Sequence, residues 1–125
     1  MTDTLRALGP AFNETGNMMH TCTVTELQQA LASPNAPLVL DVRTAEELQI
    51  AHLDDVHHIP LDALPGRLGE LADWKDKEIV CMCHHGMRSA HAQQILLSNG
   101  FGQVRNLTGG IHAWSVEVDP LVPQY

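Results

Sequence analysis

Positive charge is scarce in this sequence. Its 125 residues hold seven lysines and arginines against 15 aspartates and glutamates, a net charge of −8. So acidic a chain offers no broad attraction to nucleic acid or to anionic membrane, and neither partner is expected. Any anion it handles must be held by a locally built positive site. Cysteine is also scarce: Cys22, Cys81 and Cys83 are too few for a disulfide framework. Cys81 and Cys83 stand two apart, where side chains of one strand lean the same way and do not bridge easily. Apolar runs of membrane length are missing. The N-terminal stretch, interrupted by Asp3, Gly9-Pro10 and Glu14, reads as neither signal peptide nor membrane span, so a reducing cytoplasm is the expected compartment. No internal repeat or low-complexity tract occurs, and the length suits one domain rather than two.

What is there alternates between strand-like and helix-like segments. Residues 1–19 read as a weakly ordered leader, broken by Gly9-Pro10 and by the stretch from Asn13 to Asn17. A domain over 20–118 and an extended tail over 119–125, holding Pro120 and Pro123, complete the expected organisation. Residues 19–24 suggest a strand and 25–31 a helix. Leu38-Val39-Leu40-Asp41-Val42 is an apolar run ending at a carboxylate, the pattern of a buried strand. Thr44-Ala45-Glu46-Glu47 fits a capping box that opens a helix. His57-His58-Ile59 suggests a short strand stopped by Pro60, and Leu64, Leu68 and Leu71 recur at helical spacing. Residues 78–83 form the next strand, and a helix is expected from Ser89 to about Asn99. Gly100 would end it as a left-handed cap, with Phe101 folding back on Leu96. A last strand over 103–107, a turn at Gly109-Gly110 and a short helix over 111–114 follow. Such alternation predicts an α/β fold with a parallel sheet flanked by helices on both faces. Ligands in such sheets bind beyond the carboxyl ends of the strands, where Cys83 falls.

The chemistry concentrates after that strand, in Cys83-His84-His85-Gly86-Met87-Arg88-Ser89. A helix begins only a few residues past Cys83, so the intervening backbone must curl, and Gly86 tolerates the positive φ this requires. Successive N–H groups of a curled loop point inward at the sulfur, and the helix adds its positive N-terminal end. Arg88 adds a fixed charge. All three favour thiolate over thiol. Most free cysteines are simply buried, but a core cysteine is seldom followed by two histidines, glycine and arginine. Cys83 is therefore expected to be a nucleophile inside an anion-sized loop.

That loop closely resembles the active-site loop of single-domain rhodaneses. Leu40-Asp41-Val42-Arg43 with Glu46-Glu47, the stretch from His52 to Pro60-Leu61, and Asn106-Leu107-Thr108-Gly109-Gly110-Ile111-His112-Ala113-Trp114 are similar to the family's other signatures, in order. The resemblance implies a rhodanese-like, five-stranded parallel sheet and a ping-pong sulfur transfer. Cys83 would take a sulfane sulfur from thiosulfate, a persulfide or a polysulfide, hold it as a persulfide, and pass it to a thiol or cyanide. A persulfide carrier with little turnover alone, docking on a sulfur-relay or thioredoxin-like protein, is the alternative. Asp41 and Arg43 would support the loop, with Asp41 expected to pair with Arg88 or to accept loop hydrogen bonds. Many relatives carry glycine where Ala51 and Asp55 stand, which leaves the backbone of that loop open.

Other readings carry less. The rings of His84 and His85 are expected to face solvent. Cys81, Cys83, His84, His85 and His91 invite zinc, but lack a second ligand pair at the usual spacing, so no metal and no cofactor are expected. His112 is read as a surface or hydrogen-bonded histidine. Cysteine phosphatases and arsenate reductases place five residues between cysteine and arginine; here four separate Cys83 from Arg88. The shorter loop suits one sulfur atom better than a full oxyanion.

Overall fold

The computed structural model describes residues 21–125; the leader, and the first two residues of the expected first strand, lie outside them. Five strands form one all-parallel sheet: β1 (Thr21–Cys22), β2 (Leu38–Asp41), β3 (His57–His58), β4 (Glu78–Met82) and β5 (Gln103–Leu107). Their spatial order is β1-β5-β4-β2-β3, so β4 is central and delivers Cys83 between β5 and β2.

The strand period of two sorts the core into two clusters. Leu40, Ile79, Cys81 and Val104 face Ala92 and Leu96 of α3 (Met87–Ser98), with Leu64 and Leu71 beside them. Val39, Val80 and Met82 face the other way, onto Leu27 of α1 (Val24–Leu31) and Ile111 of α4 (Gly110–Glu117). Helices thus cover both faces, as expected for a parallel sheet whose central strands β2 and β4 are largely apolar.

Local chemistry sets the element ends. Thr23 caps α1 with a capping box: its hydroxyl accepts from the Glu26 N–H at 3.1 Å, and the Glu26 carboxylate accepts from the Thr23 N–H at 2.8 Å. That fixes the helix start at Val24, inside the segment expected as strand. Thr44 and Glu47 repeat the device at α2 (Ala45–Ile50). Leu64, Leu68 and Leu71 lie not on an α-helix but on two 3₁₀ segments, Leu61–Gly66 and Leu68–Trp74. Pro65 lacks the N–H that an α-helix interior needs, and Gly66 and Gly69 weaken helix further. α3 starts two residues earlier than expected, directly after Gly86. At its end the Phe101 N–H returns to the Leu96 carbonyl at 3.1 Å, past Gly100 in the left-handed region.

Asp55 holds φ +60°, the left-handed region that glycine favours, and is the one non-glycine residue to do so among those described. Aspartate tolerates that region, so the turn keeps the backbone a glycine would give it. The tail, expected to be extended, instead turns at Asp119–Val122, where the Val122 N–H donates to the Asp119 carbonyl at 3.1 Å and the Ser115 hydroxyl holds the Val122 carbonyl. The turn sends Tyr125 back to the Cys83 side of the molecule.

Candidate active site

Cys83 lies one residue beyond β4 and is 1% exposed. The loop above it is suspended from α4. The Ile111 N–H donates to the Cys83 carbonyl at 2.9 Å, and the His112 N–H donates to the His84 carbonyl at 3.1 Å. In a trans peptide the N–H points opposite the carbonyl. With these two carbonyls turned to α4, the N–H groups of His84 and His85 face away from it. The Gly86 N–H completes the curl and donates to Cys83 Sγ at 3.0 Å. α4 can approach this closely only because residue 110 is glycine: a Cβ there would sit 2.4 Å from both the Cys83 and His84 oxygens. Gly86 itself holds φ +121° and leads straight into α3, whose first N–H groups have no partner within the helix.

Asn106 on β5 fixes the loop from the opposite side. Its Nδ2 donates to the Gly86 carbonyl at 3.1 Å, and its Oδ1 accepts from the buried Ser89 hydroxyl at 2.5 Å. Ser89 Oγ also lies 3.3 Å from Cys83 Sγ, so its single proton has two acceptors within reach. Sulfur, hydroxyl and amide therefore form one connected polar chain at the end of the sheet.

Arg88 does not meet Asp41. It forms a two-pronged ion pair with Glu47, at 2.6 and 2.9 Å, across 41 positions of sequence. Hydrogen bonding to Arg88 holds the Glu47 carboxyl well below the usual carboxylate range, and Glu47 holds the guanidinium charged in return. Asp41 pairs instead with Arg43, both wholly buried, at 2.8 to 3.2 Å; Arg43 also donates to the Ala51 carbonyl at 2.8 Å. The reason is register: Asp41 and Arg43 lie on the same side of the chain two residues apart, and the Asp41 carboxylate also takes the Arg43 N–H at 3.0 Å. Tyr125 joins the two pairs, accepting from Arg43 at 2.9 Å and donating to Glu47 at 2.7 Å.

The loop histidines are less solvated than expected. The His84 ring is half-buried and stacks on Tyr125 at 3.8 Å, with 5° between planes, while His85 and Met87 are exposed. Burial and the neighbouring His85 push the His84 imidazolium toward its neutral form. Cys81 and His91 are far apart in character: Cys81 is in the core with its thiol driven up by burial, and His91 is on the surface. Sequence reasoning had no site role for Glu47, Asn106, His112 or Tyr125. In the sequence Glu47 is visible as the last residue of a capping box and within a signature, and Asn106 only within a signature.

No helix among the described residues is long and apolar enough to cross a membrane. The model of the rhodanese-like domain matches residues 23–117. A sulfurtransferase of Allochromatium vinosum is 36% identical over 96 residues, covering 77% of this chain and 88% of that protein. The adenylyltransferase and sulfurtransferase MOCS3-2 of Zea mays is 39% identical over 101 residues; the alignment takes in 76% of this chain but only 21% of that larger protein. Among solved structures, a rhodanese-like domain protein from Staphylococcus aureus superimposes with a TM-score of 0.70 at 30% identity, over 86% of this chain and 99% of that one. With a cysteine suspended at the end of the central strand, and both sequence and architecture matching over most of its length, this chain belongs to the rhodanese-like domain family.

Proposed function

We propose that the chain transfers sulfane sulfur through a persulfide on Cys83. The observation that carries this reading is the Gly86 N–H aimed at Cys83 Sγ at 3.0 Å, inside a loop whose carbonyls are tied back to α4. Fixed dipoles directed at one sulfur favour a negative charge there without rearrangement during the reaction. In the first half-reaction the Cys83 thiolate attacks the outer sulfur of a donor. The donor's S–S bond breaks, its electron pair leaves with the remaining thiolate or sulfite, and Cys83 holds a persulfide. In the second, a nucleophilic acceptor attacks the terminal sulfur and the Cys83 thiolate departs. His84 and His85 act through their backbones, Ser89 through its hydroxyl beside the sulfur, and Arg88, Asp41 and Arg43 by holding the loop's surroundings in place.

The charge balance supports a donor class. Both arginines near the loop are already matched by carboxylates, Arg88 by Glu47 and Arg43 by Asp41. A thiosulfate dianion would find no unpaired guanidinium in these two pairs, whereas a low-molecular-weight organic persulfide, carrying at most one charge at the reacting end, needs none. The acceptor is a thiol, either free or on a relay or thioredoxin-like protein. In a side-by-side assay the protein should convert glutathione persulfide at least about tenfold faster, by kcat/KM, than thiosulfate with cyanide, a difference of about 1.4 kcal/mol in barrier. It should hydrolyse p-nitrophenyl phosphate negligibly. Equal rates with both donors would overturn the donor class, and phosphatase turnover lost in Cys83→Ser would overturn sulfur transfer.

A further inference from the structure

We propose that His84, His85 and His112 form a binding site for one divalent transition-metal ion of the zinc, copper and nickel type, at the rim of the Cys83 loop. One ring nitrogen from each residue lies within 4.8 Å of those of the other two. The ring centroids of His85 stand 4.0 Å from His84 and 4.8 Å from His112, and those of His84 and His112 are 6.2 Å apart. Nitrogens bound at about 2.0–2.1 Å to a tetrahedral ion sit roughly 3.4 Å from one another, so modest ring rotations close the site.

Two further features point to a ligand. His84 Nε2 and His112 Nδ1 are both shielded from solvent and lack a hydrogen-bond partner. Leaving a buried polar atom unsatisfied is costly, and two of the three clustered histidines each carry one. The frame is also preset. His84 and His85 sit on the suspended loop, His112 on the first turn of α4, and the His112 N–H bond to the His84 carbonyl ties the two elements together. Tyr125, stacked on His84, holds that ring in place as an outer partner does for a ligating histidine.

Donor chemistry selects the ion. Three imidazoles and no carboxylate suit borderline metals and not magnesium or calcium. Three protein ligands leave a fourth position open to water or to an added ligand. The zinc reading drawn from sequence grouped His84 and His85 with Cys81, Cys83 and His91; the third histidine comes instead from α4.

The site stands apart from the chemistry of Cys83, and the test keeps them separate. Untagged full-length protein, stripped of metal, is titrated with Co²⁺ and then Zn²⁺, read by Co²⁺ visible absorption and by the rise in melting temperature with Zn²⁺. We expect one equivalent to bind, unchanged in Cys83→Ser and weakened at least about 100-fold in His112→Asn, since removing a ligand costs more than removing an outer partner. Should His112→Asn fail to fold, His85→Asn, at an exposed position, serves in its place and should show the same loss. Absence of saturable binding overturns the proposal. So does binding that disappears in Cys83→Ser, or that persists undiminished in the histidine variants.

Discussion

Cys81 and Cys83 stand two residues apart, one within β4 and the other just past its end. Both are buried, at 0% and 1% exposure, and both belong to the same apolar cluster. Their surroundings diverge completely. Cys81 sits within β4, its backbone committed to the ladders with Leu40 and Asn106, and meets only apolar neighbours; burial, with Cys83 close by, drives its thiol far above the ordinary range. Cys22, on β1, is likewise pushed up by burial, to about 11. Cys83 stands one residue past the last ladder pair, where the Gly86 N–H and the Ser89 hydroxyl reach its sulfur. If Cys83 carries the proposed persulfide, burial alone does not decide whether a cysteine is inert. What decides is whether the strand has ended.

The sharpest way to break this comparison is to exchange sulfur for oxygen at each position. Cys83→Ser should lose all persulfide formation, read by intact-protein mass spectrometry after glutathione persulfide treatment, while remaining folded. Cys81→Ser buries a hydroxyl among apolar groups, which should cost about 1–3 kcal/mol in stability while persulfide still forms on Cys83. A Cys81→Ser protein that folds but takes up no sulfur would refute the contrast.

A smaller effect is expected from loosening the loop that makes Cys83 different. Asn106→Ala removes the donor to the Gly86 carbonyl and the acceptor for Ser89. We expect sulfur transfer to fall about 10–100-fold, with the drop in kcat rather than KM, and the melting temperature to change little. Asn106→Asp, which keeps the acceptor but not the donor, should fall between. Equal activity in all three proteins would show that the α4 bonds alone position the loop.

The smallest expected effect concerns Glu47. Its folded-state carboxyl titrates below the ordinary value of about 4.3, through the hydrogen bonds from Arg88. A depressed carboxyl contributes stability above that ordinary value and loses it as pH falls toward the folded one. Wild type should therefore lose stability on acidification below about pH 4.5, and Glu47→Gln should show a shallower decline over the same range in urea denaturation. Parallel profiles would mean the pair adds nothing to stability.

Much of this arrangement is readable from neighbours in sequence. The capping box at Thr44, the left-handed Gly100 and the Cys83–Arg88 spacing all act within a few residues, and each leaves a pattern. The partners of the site do not. Arg88 meets Glu47 across 41 positions and Arg43 meets Tyr125 across 82, contacts set by which strands lie side by side. Nothing local at Tyr125 distinguishes a tail that turns back from one that runs on. Leu64, Leu68 and Leu71 show the opposite failure, for their spacing fits one face of either helix type and Pro65 makes the choice.

The two amides of α4 that hold up the loop have a consequence for measurement. Ile111 and His112 are first-turn residues whose N–H groups would otherwise have no helical partner, yet both bond to loop carbonyls. Their exchange with solvent deuterium thus reports the opening of the sulfur site, from residues that never touch sulfur. A donor or acceptor protein that pries the loop open would speed exchange at these two positions together, and leave the amides of β4 untouched.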